Sequence, residues 1–115
     1  MTPDDFRRVA LSLPEAQDGG HMGHADFRVG GKIFATLGYP DAGWGMVKLQ
    51  PAQQEMLVAA EPAMFRPVKG GWGLKGSTNV QLAAADESTL ISALRMAWLN
   101  TAPRSLAARL DGAGS

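Results

Sequence analysis

The chain has 115 residues, 45% hydrophobic and 19% charged, which suits one soluble globular domain with its own core. Eleven basic and eleven acidic residues cancel, so the strong global field of a high-affinity nucleic-acid binder is missing. There is no cysteine, which excludes a disulfide framework, a thiolate metal site and a cysteine nucleophile.

The first predicted element is a helix opening at Thr2-Pro3-Asp4-Asp5. Threonine can cap, proline suits the first helical position, and two aspartates favour the positive end of the helix dipole. Phe6, Val9, Ala10 and Leu13 then recur at helical spacing, and Pro14 stands just past the end. The acidic opening has no basic region followed by an apolar stretch, so it reads as no signal peptide. No apolar run approaches the ~20 residues of a membrane span. The expected location is the cytoplasm, with no membrane partner.

The turn formers of EAQDGGHMGH lead into a hairpin, DFRVGGKIFATLG, from Asp26 to Gly38. Two registers compete. A two-residue Gly30-Gly31 turn pairs Val29 with Lys32 and mixes charge with aliphatics on both faces. A three-residue loop with Gly31 in a left-handed bulge pairs Arg28 with Lys32 instead. Phe27, Ile33, Ala35 and Leu37 then share one face, and Asp26, Arg28, Lys32, Phe34 and Thr36 the other. A lone buried lysine costs far more than Arg28 opposite Lys32, so the three-residue loop is the expected register.

GYPDAG is a loop, and Trp44–Leu49 a third strand with Val47 and Leu49 inward. A short helix begins near Pro51 and stops at Pro62. MFRPVKGGWGLKGS reads as a loop with short extended pieces. Asn79–Ala83 alternates as a strand, with Val80 and Leu82 inward. DESTLISALRMAWLN is the clearest helix, capped by Asp86 or Ser88, with Leu90, Leu94, Ala97 and Trp98 on one face. A shorter helix restarts after Pro103 through Leu106 and Leu110. The expected organisation is one domain over residues 1–110 and a frayed tail over 111–115. Helix, then strands, then helix is an α+β layout: an antiparallel β-sheet with helices packed on one face.

Charge is unevenly distributed. Residues 1–27 carry a net −3, whereas residues 28–75 carry Arg28, Lys32, Lys48, Arg66, Lys69 and Lys75 against three acids, a net +3. With Phe34, Trp44 and Trp72, these six bases are the candidate binding surface: cations for phosphates and rings on which bases stack. A covering loop over Phe34, Trp44 and Met46 is the competing reading.

HADFRVGGKIFATL, VKLQP, FRPVKGGWGLKG, NVQL and a late helix containing AW occur here in that order. Together they resemble the MmcQ/YjbR family of small bacterial proteins, from Phe6 to about Trp98. The resemblance implies a compact, two-layer, CyaY-like single domain. It implies DNA binding through a winged surface and no shared catalytic motif; no cofactor is expected.

Other constellations carry less. His21-Met22-Gly23-His24 with Asp26 lacks the third and fourth ligands of a zinc site. Lys69-Gly70-Gly71 with Gly73 and Lys75 lacks Walker spacing and leads into no helix, but can touch phosphates as a flexible basic loop. Ser77 and Thr78 have no evident base partner. The expected function is therefore non-catalytic, with no metal: weak, sequence-tolerant DNA binding by a monomer or weak homodimer. The alternatives are a protein–protein adaptor, with the apolar–basic face as its interface, and a binder of a small anionic metabolite in a cleft beside Trp72 and Lys75.

Overall fold

A computed structural model describes residues 1–21, 24–38 and 41–108. Met22 and Gly23 of the run of turn formers, Tyr39 in its loop, Leu110 and the tail over 111–115 lie outside the described residues.

Thr2 caps helix α1 (Pro3–Leu11) reciprocally. Its Oγ1 accepts from the Asp5 amide at 3.1 Å, and the Asp5 carboxylate accepts from the Thr2 amide at 2.9 Å. The helix buries Phe6, Val9 and Ala10. Six strands follow with three more helices: β1 (Gln17–His21), β2 (His24–Val29), β3 (Lys32–Leu37), β4 (Trp44–Lys48), α2 (Pro51–Ala60), β5 (Phe65–Pro67), α3 (Gly71–Leu74), β6 (Ser77–Gln81) and α4 (Glu87–Thr101). A 3-10 turn, Leu82–Ala84, separates β6 from α4, so Leu82 is buried from a turn and not from a strand. Residues 104–108 are helical again.

The strands form one antiparallel sheet in the order β1-β2-β3-β4-β6-β5. Helices cover one face of it. Helices α1 and α4 pack on β3 and β4, and α2 packs on β5 and β6. Trp98 of α4 is fully buried, and its indole N–H donates to the Pro14 carbonyl at 2.9 Å, tying the last helix to the end of the first. Alternation along β4 puts Gly45 and Val47 under the helices and Trp44, Met46 and Lys48 on the open face. Gly45 is required there, because a Cβ would sit 2.7 Å from the Phe6 ring.

The hairpin departs from the expected register. Gly30 and Gly31 have φ of 60° and 80°, the left-handed pair of a two-residue turn, and Val29 pairs with Lys32. The irregularity lies further into β3. Arg28 pairs with Ile33 and Phe27 with Ala35, so Phe34 is the extra residue. This bulge turns Phe34 and Ala35 both inward, while Ile33 turns out to the Arg28 face and is half-buried. The expectation failed on Lys32. It pairs with inward Val29, but at the strand end, where it remains exposed. No lysine is buried, so the penalty that argued against the two-residue turn never arises. Fully burying a phenylalanine outweighs half-exposing an isoleucine.

Two further elements differ from the expectations. β1 forms from QDGGH, a run of turn formers, because it can pair with β2 along its whole length. The glycine-rich segment expected as loop contains the one-turn helix α3. Among the described residues, no helix is long and apolar enough to cross a membrane.

Candidate nucleic-acid interface

Among the described residues, the exposed aromatic is Trp72, on α3, at 65% exposure, and Leu74 beside it is at 83%. Two glycines hold α3 in place by close backbone approach. A Cβ on Gly73 would lie 1.7 Å from the Val68 carbonyl oxygen, and one on Gly76 would lie 1.9 Å from that of Leu49, where φ is also +111°. The Gln54 side-chain amide of α2 donates to the Gly73 and Ser77 carbonyls, each at 3.0 Å. The turn is thereby tied to α2 and β6, and the indole is left outward. The Lys48 ammonium, at the end of β4, stands 5.7 Å from the centre of that ring. Lys48, Trp72 and Lys75 line a groove of about 350 Å³ with Ser77 and Asn100. The Asn100 amide donates to the Lys48 carbonyl at 3.2 Å and to Gln53 Oε1 at 2.7 Å, fixing the helix side of the groove.

A second groove, of about 520 Å³, lies at the other end of β4 and is lined by Asp41, Trp44, Arg66, Lys69 and Asn79 among others. The pairing of Arg66 with Asn79, itself paired with Met46, puts all three on the open face. The Arg66 guanidinium carbon sits 5.2 Å from the Trp44 ring centre. A third depression, about 430 Å³, joins Arg28, Lys32, Ile33 and Lys48 at the sheet end.

The YjbR family model matches residues 11–100, a span containing every candidate site residue. The chain belongs to the YjbR family. Among solved structures, the chain is similar to the Deinococcus radiodurans protein DR2400, a DUF419 domain, with 23% identity over 86% of this chain and 77% of that one, at a TM-score of 0.70. At that identity the likeness concerns the fold. No curated protein matches.

In this YjbR-family chain, the candidate residues divide into groups and do not form one cationic face. Lys48, Trp72 and Lys75 gather in one groove, and Trp44, Arg66 and Lys69 in another. Phe34 leaves the set, because it is fully buried in the core. Arg28 and Lys32 fall on opposite sides of the sheet by register, which overturns their expected place side by side. Arg28 is also matched already: its guanidinium donates to both Asp26 carboxylate oxygens at 3.0 and 3.3 Å, and that carboxylate raises its pKa. Among the described residues, Lys32, Lys48, Arg66, Lys69 and Lys75 have no ion pair.

Among the described residues, no three metal-ligating side chains cluster. Thr78 is fully buried and its hydroxyl donates to the Gly76 carbonyl at 2.8 Å. Asn100 and Gln54 were missed from the sequence. Their contribution depends on where α4 and α2 lie against the rest of the fold, which no local pattern encodes.

Proposed function

We propose that this YjbR-family protein is a non-catalytic domain that binds DNA weakly and with little sequence preference, in a bacterial cytoplasm. The observation carrying this reading is Trp72: a mostly exposed indole on a rigid turn, with Lys48 against its ring and Lys75 lining the same groove. A base stacks on such a ring whatever its identity, while the ammonium groups meet phosphates. The cations are few and the net charge is zero, so affinity is low and salt-sensitive. With about three phosphates neutralised, the slope of log K against log salt is about −2 for a single strand.

Titration of the protein with short oligonucleotides at low salt, read by indole quenching, tests this. Trp72→Ala and Lys75→Glu should each weaken binding. An absence of quenching at low salt, or affinity unchanged by both substitutions, rejects the reading.

The exposure of Leu74 favours one other use of this surface, contact with a second protein or a second copy. Light scattering that finds a dimer, dispersed by Leu74→Ser, would replace DNA binding with that function.

A further inference from the structure

We propose that the ligand is a single strand, and that it lies along β4 on the open face of the sheet, with one base on Trp44 and another on Trp72. This rests on the nucleic-acid reading above. Trp44, Met46 and Lys48 occupy alternate positions of β4 and point to the same side. At about 3.3 Å per residue, Trp44 and Lys48 are ~13 Å apart along the strand. Trp72 begins where Lys48 ends, with the ammonium 5.7 Å from the ring centre. The two grooves therefore lie at the two ends of β4, joined by its outward side chains.

Each station has the same composition: an indole, a cation over its ring and a second cation on the groove wall. They are Trp44 with Arg66 and Lys69, and Trp72 with Lys48 and Lys75. None of these four cations has an ion pair among the described residues. Among the described residues, Asp41 is the one carboxylate lining either groove. It is exposed, and two bases share its groove. Between the stations the floor is Met46, with Asn79 and Thr36 paired beside it on β6 and β3, all three half-buried. A thioether packs on a base face, and an amide can meet a base edge. The charge complementarity is that of a polyanion, and the spaced rings select bases that are free to unstack. In a duplex the bases are stacked on one another, and neither indole reaches them.

The probes are a thymidine dinucleotide, an oligothymidylate of roughly eight nucleotides and a duplex of the same length, titrated into the full chain at low salt. Trp98 is buried in the core and serves as a constant emission background. The longer single strand is expected to bind at least about tenfold more tightly than the dinucleotide and than the duplex. Trp44→Ala and Trp72→Ala should each weaken the longer strand about 5- to 100-fold, and Trp44→Phe should retain binding. Met46→Glu should weaken the longer strand and leave the dinucleotide unchanged. Circular dichroism of each variant separates lost binding from lost fold. If Trp72→Ala weakens binding while folded Trp44→Ala and Met46→Glu do not, the strand stops at Trp72; the track is refuted and the broader reading stands. Equal affinity for duplex refutes the single strand. No binding by any probe overturns both readings.

Discussion

Truncating Phe34 to alanine should destabilise the protein by about 3–5 kcal/mol, and truncating its neighbour Ile33 by only about 1 kcal/mol. The asymmetry follows from the bulge in β3, which turns Phe34 under the helices at 0% exposure and leaves Ile33 half-exposed on the other face. A buried phenylalanine removes about 150–250 Å² from water. Alanine forfeits roughly two thirds of that, and at ~25 cal/mol/Å² the transfer loss is about 3–4 kcal/mol, with the remaining cavity adding to it. In a domain of this size that loss lowers Tm by on the order of 10–20 °C. Urea unfolding, followed in parallel by far-ultraviolet dichroism and indole emission, measures both variants, and equal m-values would assign the change to the native state. The refuting result is a reversed order. If Ile33→Ala costs more than Phe34→Ala, then Ile33 faces inward, β3 runs unbulged from Lys32, and the assignment of residues to the two faces is wrong.

Gly73→Ala should cost at least about 2–3 kcal/mol, since its Cβ would meet the Val68 carbonyl oxygen at 1.7 Å, and Trp72 emission should shift as α3 is displaced; an unchanged spectrum and Tm would refute the close approach. Trp98→Phe should lose about 2 kcal/mol by denaturant titration, through the hydrogen bond to Pro14 and the emptied volume. The caps make stability acid-sensitive. Asp5 and Asp86 are held below the ordinary value of 3.8, chiefly by backbone amide donors, those of Thr2 and Thr89, with side-chain hydroxyls adding to it. Their folded pKa values are depressed, so their contribution is complete above 3.8 and is lost as pH falls through the lower folded values. Thermal melts should weaken below that pH, and the double variant Asp5→Asn, Asp86→Asn should show a shallower acid fall; an identical fall would remove the caps as its cause.

The helices were legible because their signals are local. Thr2 with Asp5 and Asp86 with Thr89 are caps that close within four residues, and the stripe of Leu90, Leu94, Ala97 and Trp98 is a repeat that any helix must bury. The inward set Phe27, Ala35, Val47 and Val80 followed from strand alternation. β1 was not legible, because nothing in QDGGH favours a strand except an unsatisfied edge on β2, and that edge exists only after folding. The hairpin turn was misplaced for a related reason. An inward lysine is not always a buried one: Lys32 at a strand end escapes the helices above it.

The candidate site divides along the same line. Six bases within residues 28–75 are a fact about composition, and composition does not say which of them meet. Register separates Arg28 from Lys32, and Asp26, two residues along the same strand, neutralises Arg28 before any ligand can. Lys48 and Trp72 come together from opposite ends of a 24-residue interval, because α2 folds back, holds α3 through Gln54, and lets β6 return beside β4. The pairing of Arg66 with Trp44 likewise requires β5 to reach the sheet edge beyond β6. A cationic, ring-bearing surface therefore survives the loss of the hairpin face that first suggested it. It is carried by β4 and the two grooves at its ends, and its worth as a binding surface depends on Trp72 standing exposed while Phe6, Phe27, Phe34, Phe65 and Trp98 are fully buried.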